Sequence, residues 1–408
     1  MSLPVLIVGA GLGGVCLAQA MRKNNIPFKL FEQDERQNLR TQGYRLRITE
    51  HGVKALEDSL TPEIFALFEK TCAATTGLGV RIKPDGTSTT TLGGPGGPPP
   101  GPPSGSFSGK IYTIDRSAFR EALLTDLDER VEFGKSLLHY EEFDDKIVAH
   151  FADGTTAQGA LLVGADGVRS KVRKQHIPNF PAIDTGMRIV FGKTPITPEY
   201  LAASPENHRT GMSLVTDPDD KDQPTLMFES IHFPYANDAT VPPLPSPYMY
   251  WVLVVHRSKI PFSDERSWHI TPQEAADLTR QLTSSWDPSV RSVIDYQDAS
   301  QSSIRSLLSA PFEIAAWEPS GKVTLLGDSV HVMPPTGAMG ANTALRDAAD
   351  LAHRIVEAGG IEKVDSQVIG GYEVGLREFA KMAIDMSWQG GMKSFGLRPV
   401  DKCESIVL

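Results

Sequence analysis

The feature that most constrains this chain lies at its start. LPVLIV, residues 3–8, is a short apolar run rich in Val, Ile and Leu, and it reads as a buried strand. GAGLGG follows and puts Gly9, Gly11 and Gly14 in G-x-G-x-x-G register. Residues 12–23 carry a helical pattern, IPFKLFE reads as a second strand, and Glu32 closes it. A strand, a glycine turn, a helix and a second strand ending in an acid make a βαβ unit of the dinucleotide-binding kind. Gly9 is expected to allow the tight turn, Gly11 to let the backbone approach a pyrophosphate, and Gly14 to let helix and strand pack closely. The helix N-terminus offers free N–H groups to the phosphates. Glu32 is expected to accept hydrogen bonds from a ribose diol and to disfavour a 2′-phosphate. This unit alone does not separate NAD from FAD.

Three later motifs do. LLVGADGVRSKVRKQ (161–175) runs a buried strand into Asp166-Gly167. YTIDRSAFREALL (112–124) sets Arg116 just ahead of a helix. KVTLLG leads into Gly327-Asp328 and then SVHVMPPTGAMGANTALRDAADLAHRI, which turns helical from about Gly340. With all four motifs in order, the chain resembles the single-component FAD-dependent monooxygenases of the aromatic-hydroxylase type. It is most similar to the compact members that include the tetracycline-inactivating enzymes. The resemblance runs from about residue 3 to about residue 390, strong at the motifs and weak between 180 and 310.

The resemblance implies an α/β fold: a Rossmann-like FAD-binding domain, an inserted mostly antiparallel substrate domain whose sheet roofs the flavin, and a C-terminal helix. It implies FAD held through Gly9, Gly11, Gly14, Glu32, Arg116, Asp166 and Asp328. Arg45 stands where the family's chain returns to the flavin, with Arg40 and Arg47 as competitors. NAD(P)H is implied as co-substrate, O2 as oxidant, and a C4a-hydroperoxide of the flavin as the species that delivers oxygen. Hydroxylation, epoxidation and Baeyer–Villiger insertion all stay open, as does a flavin-dependent reductase that transfers hydride without oxygen. No second GxGxxG follows a strand, so no separate nicotinamide domain is expected.

The 327–355 stretch now has a reading. Asp328 is expected to bond a ribityl hydroxyl. Pro334 and Pro335 stiffen the chain and expose no N–H. Gly337, Ala338, Gly340 and Ala341 leave room for a flat ring. The first N–H groups of the helix, at Gly340, Ala341 and Asn342, are expected to face the N1/O2 edge of the flavin. A helix N-terminus there stabilises the anionic reduced form by about 0.3–1 kcal/mol, up to ~2 when partly buried. The family often has glycine where Ala338 stands, and Met339 is expected beside the flavin face. His331 is expected to be a packing or backbone-bonded histidine rather than a base.

The remaining expectations are coarser. The FAD-binding domain takes 1–180 and 301–390, and the substrate domain 181–300. GMRIVFGK, MSLVT, TLMFESIHF and YMYWVLVVHR read as its strands, and TPQEAADLTRQLTSSW as a helix capped by Thr271. Candidate substrate-facing residues are Arg188, Phe191, Met227, Phe228 and His232, with Arg188 offered as the catalytic candidate. VGLREFAKMAIDMSW reads as an amphipathic helix beside the substrate cavity. Residues 93–109 hold 13 Gly or Pro in 17, so a surface loop is expected there. The 40 basic and 50 acidic residues give a net charge of −10, which argues against nucleic acid or an anionic membrane as partner. No apolar run is long enough to span a bilayer. Cys16, Cys72 and Cys403 are far apart and form no metal or disulfide pattern. A cytoplasmic monomer or weak homo-oligomer acting on a small molecule is the resulting expectation.

Overall fold

The structure, a computed structural model, describes residues 2–36, 45–74, 79–91, 111–217, 219–220, 223–267 and 269–408. The expected loop at 93–109 and Arg40 lie outside the described residues. The fold is α/β. Its heart is a five-stranded parallel sheet in the order Val323–Leu325, Leu161–Gly164, Val5–Val8, Phe28–Phe31, Val131–Glu132. The central strands are covered on both faces, which is why they read as unbroken apolar runs rather than alternating ones. The helix Leu12–Lys23 packs against the helix Met339–Glu357. Their approach is close: a Cβ on Gly13 would stand 2.7 Å from the Leu326 side chain and 3.2 Å from the Ala344 carbonyl oxygen.

The second body is a large, mostly antiparallel sheet. Its order is Ser303–Ser309, Pro181–Pro195, Tyr248–His256, Thr225–Ile231, Met212–Val215, Val80–Ile82, Ser88–Thr91, with Glu404–Val407 paired to the start of Pro181–Pro195. The 181–300 segment supplies the four strands from Pro181–Pro195 to Met212–Val215; the others come from 80–91, 303–309 and 404–407. Alternation along these strands splits two apolar clusters. Leu226, Phe228, Met249, Trp251 and Leu253 face the helices Pro272–Leu282 and Pro288–Asp295. Ile231, Tyr248, Tyr250, Val252 and Leu307, with Met227 and Phe191 against them, face the other way. Thr271 caps Pro272–Leu282 in a full capping box with Glu274.

The C-terminal helix, Ser366–Phe395, is longer than its sequence pattern announced. Asp365 caps its start by accepting from the N–H groups of Gln367 and Val368, and Gly396 ends it at φ 65°. Two of its side chains tie the strand that carries the Gly-Asp motif. The Tyr372 hydroxyl donates to the Leu325 carbonyl at 3.0 Å, and the Thr324 hydroxyl donates to Glu373 at 2.9 Å. Burial pushes the Glu373 carboxyl up to about 7, against the hydrogen bonds that favour its ionised form. Between the ordinary carboxylate value and that figure, the folded chain keeps a proton the unfolded chain has lost. This contribution is therefore complete at low pH and lost as pH rises through the folded value. Glu373→Gln should be more stable than the natural chain above about pH 8 and no more stable below about pH 4, read from urea midpoints across pH.

Candidate active site

Three of the four FAD motifs end at the same edge; the Arg116 motif belongs to a separate sheet, where Tyr112–Asp115 pairs with Arg45–Ile48. The parallel strands deliver Gly9, Glu32, Asp166 and Gly327-Asp328 at their C-terminal ends, where ligands of such sheets bind. Gly9 has φ 106°, and a Cβ there would overlap the Ala165 carbonyl and stand 2.8 Å from the Asp166 Cα. Gly14 is closed off in the same way by the Gly9 carbonyl oxygen. Gly11 differs. A Cβ there meets nothing within 4 Å, and the same holds at Gly167. Both follow the ends of adjacent parallel strands, so the backbone there faces open space at the sheet edge.

Polar groups converge on that space. Glu32 is 7% exposed. Its Oε2 accepts from the Ala10 N–H at 3.0 Å and from the Arg120 guanidinium at 2.9 Å; its Oε1 accepts from the Asp34 N–H at 3.0 Å. Arg120 follows Arg116 by one helical turn. Burial pulls the Arg116 guanidinium below its usual range, while Asp328 and Glu32 pull the other way and Arg120 and Arg305 add to the depression. Asp328, Glu32, Arg120 and Arg305 thus all sit within electrostatic reach of Arg116. Asp166 accepts from the Lys171 N–H at 2.7 Å through Oδ2; its buried Oδ1 has no donor in good hydrogen-bond geometry. Burial raises the Asp166 carboxyl above its ordinary value, although the Ser170 side chain lies close enough to favour the ionised form. A buried unsatisfied oxygen is a reservoir that a ligand hydroxyl or N–H can fill. Together with the open glycine positions it meets the requirement for a dinucleotide: backbone access, acceptors for sugar hydroxyls and cationic groups for phosphate.

The turn after Asp328 is held from below. Gly327 has φ 64°, and its N–H donates to Asp347 Oδ2 at 3.1 Å. The same oxygen meets His331 Nε2 at 2.5 Å, both side chains fully buried. Burial opposes an imidazolium here, and the Asp347 carboxylate outweighs it, so His331 lies above its usual pKa. His331 is therefore a strut for the motif, paired to a side chain rather than to backbone. The next turn places Gly337 at φ 66° and Ala338 at φ 57°, the left-handed region glycine prefers. No side chain caps the helix that follows. Asn342 is used sideways: its Oδ1 accepts from the Thr49 N–H at 2.9 Å and its Nδ2 donates to the carbonyls of Arg47 and Ala338. It clamps the helix start to the strand Arg45–Ile48, so only backbone of Gly340, Ala341 and Asn342 is offered at the helix N-terminus. Met339 is 4% exposed and belongs to the main core, which corrects its expected place beside a flavin face.

Arg45 and Arg47 both turn to the large sheet. Arg45 forms a buried ion pair with Glu229, and Arg47 Nη2 lies 3.3 Å from the same carboxylate. Burial lowers the Arg45 pKa, with Arg47 pushing the same way and Glu229 opposing. Lys193 and Tyr248, from the same face of that sheet, reach Asp115 Oδ2 at 2.9 and 2.6 Å. Asp115 Oδ1 caps the helix that begins at Arg116. The inner face of the large sheet is thus tied at two points to segments that carry the FAD motifs.

Arg188 needs correction. Its guanidinium donates to Asp184 at 3.0 and 2.9 Å, to Asp264 at 2.7 and 2.6 Å and to the Met187 carbonyl at 2.8 Å, and the residue is 1% exposed. All five N–H donors are engaged. Arg188 is a structural tie with nothing left for a substrate. Phe228 faces the outer apolar cluster, and His232 pairs with the Ser230 hydroxyl at 2.6 Å; Phe191 and Met227 lie on the inner face. Sequence reasoning missed Arg120, Glu229, Lys193 and Asp115. The four-residue spacing of Arg116 and Arg120 on one helix, and Asp115 at its N-cap, were readable signals. Glu229 and Lys193 carried none.

Comparison with known proteins agrees with this geometry. The family described as "FAD binding domain" matches residues 121–387. The dual O-methyltransferase/FAD-dependent monooxygenase elcB of Phaeosphaeria nodorum is 36% identical over 98% of this chain and 47% of its own length. The chain spans about half the length of the first curated relatives it matches. Among solved structures, a proposed FAD-containing monooxygenase of Photorhabdus luminescens subsp. laumondii TTO1 is 27% identical, with a TM-score of 0.77 over 97% of this chain and 99% of that one. The tetracycline destructase Tet(51) shares the fold at 16% identity, with a TM-score of 0.68 over 97% of this chain and 92% of that one. No helix among the described residues is long and apolar enough to cross a membrane. Sequence, geometry and comparison converge: the chain belongs to the FAD-binding-domain family, within the FAD-binding monooxygenase superfamily.

Proposed function

We propose that the chain is an FAD-dependent monooxygenase that uses NAD(P)H and O2 to oxidise a small aromatic or polycyclic molecule, by hydroxylation or epoxidation. The observation that carries this reading is the open backbone at Gly11, next to a helix N-terminus and beside the Glu32, Arg116, Arg120 and Asp328 cluster. Bound FAD would supply the redox chemistry, taking hydride from NAD(P)H and activating O2. The chain's own groups do the rest. Glu32 holds a ribose. Arg116 balances phosphate charge, and Asp328 accepts from a ribityl hydroxyl. The uncapped start of Met339–Glu357 offers N–H groups to developing negative charge on the ring. The inner face of the large sheet, where Phe191 and Met227 are only partly buried, provides an apolar wall that keeps water from the reacting atoms. The relatives' names support oxygen transfer over hydride transfer.

The test is isotopic. The FAD-loaded protein is incubated with NADH or NADPH under 18O2 and a panel of polyhydroxylated naphthalenes and anthraquinones. One 18O atom in a product, with nicotinamide oxidation stimulated by the same compound, is the expected result. Reduced product without label would assign the chain to the hydride-transferring flavoproteins instead.

A further inference from the structure

Outside the flavin site, the small antiparallel sheet carries a second constellation. Its strands Leu137–Glu142 and Ile147–Phe151 pair so that His150 stands directly opposite His139. Glu141 lies two residues after His139 on the same strand, and alternation puts both on one face. Directly opposed residues on neighbouring strands have Cβ atoms about 4.5–5.5 Å apart, and diagonal ones reach each other with long side chains. A residue, its i+2 neighbour and the residue opposite therefore aim three side chains at one point above the sheet.

The side chains do converge. His150 Nε2 lies 3.3 Å from Glu141 Oε2, and the rings of His139 and His150 stack at 4.4 Å. One ligand atom from each of the three lies within 4.8 Å of the others. Two ligands bound about 2.0–2.2 Å from one ion at a tetrahedral angle stand roughly 3.3–3.6 Å apart. The His150–Glu141 pair already has that separation, and a turn of the exposed His139 ring brings the third ligand in. The opposite face of the sheet is anchored: Leu137, Tyr140, Ile147, Ala149 and Phe151 belong to the main core. The backbone that spaces the ligands is thus rigid, while the ligands remain reachable from solvent.

We propose that His139, Glu141 and His150 form a surface site for one divalent metal ion of the imidazole-favouring class, Zn2+, Ni2+ or Cu2+, with water in the remaining positions. Two imidazoles and a carboxylate suit these ions rather than Mg2+ or Ca2+, which prefer all-oxygen shells. Binding would clip two strands of the sheet together. It is independent of the flavin reading.

The test uses the tag-free, FAD-loaded protein stripped of metal and titrated with ZnCl2 by calorimetry. One equivalent per chain should bind, and the melting temperature should rise with added Zn2+. His139→Ala/His150→Ala should weaken binding at least about 100-fold and abolish the thermal shift, and Glu141→Gln should weaken it by about 10-fold, with FAD content unchanged. His353→Ala removes the exposed His353–Glu357 pair on another helix and should change nothing. The proposal falls if the natural chain shows no stoichiometric binding, or if either the double variant or Glu141→Gln binds as the natural chain does.

Discussion

Gly11→Val should yield a folded protein that no longer takes up FAD, whereas Gly9→Val should yield little folded protein at all. Both glycines belong to one motif, yet the structure separates their roles. Gly11 has φ −69° and ψ 176°, which any residue adopts, and its missing Cβ has open space around it. Losing glycine at a helix N-cap costs about 1 kcal/mol, which a chain of this size tolerates. The valine would instead fill the space that a pyrophosphate needs, and FAD affinity should fall by at least about 100-fold, or ~2.7 kcal/mol. Gly9 combines φ 106° with a Cβ position overlapping the Ala165 carbonyl. Strain and overpacking together should cost about 2–6 kcal/mol at the centre of the sheet. Circular dichroism and flavin titration on both variants separate the two outcomes. A Gly11→Val protein that holds FAD as tightly as the natural chain would refute the placement of the cofactor along this turn.

The second large effect concerns Arg188. Arg188→Ala should lower stability by about 3–5 kcal/mol while leaving FAD uptake by the folded fraction unchanged. Removing the guanidinium takes the bidentate partner from Asp184, whose side chain is 10% exposed, and leaves it only the Gly186 N–H at 2.8 Å and the half-exposed Arg257 at 3.8 Å; breaking a buried pair from one side is costly. Arg188→Lys should recover only part of the loss, because an ammonium cannot form two parallel forks. Urea midpoints read the stability, and flavin content reads the site. If Arg188→Ala proved as stable as the natural chain but inactive, Arg188 would return as a catalytic candidate.

These two cases show what local sequence reveals. Four of the five parallel strands, the glycine turn, the Asp-Gly and Gly-Asp motifs and both helices beside them were legible because each is specified within a few residues; the two-residue strand Val131–Glu132 was not. A glycine forced by its own turn, or an apolar run buried on both faces, marks itself. Arg188 was misread because its partners are hidden from such a reading. Asp184 lies across the irregular pairing at Asp184/Arg188, and Asp264 is 76 residues away. The same reason hid Glu229, which meets Arg45 and Arg47 only once the large sheet is assembled. That sheet's extent was also invisible. Val80–Ile82 joins it in parallel through Met212–Val215, and Glu404–Val407 pairs with the start of Pro181–Pro195, pairings set by tertiary closure rather than by local pattern. His331 lay between. Its neighbours announced a packed histidine, but its partner Asp347 sits a further sixteen residues along, on the helix it braces.

The measurement that bears most directly on the account is the visible absorption spectrum of the purified chain, followed by heating and identification of what is released. The account predicts a yellow protein with an oxidised-flavin spectrum, releasing FAD in proportion to protein. A colourless protein that also fails to take up added FAD would contradict it.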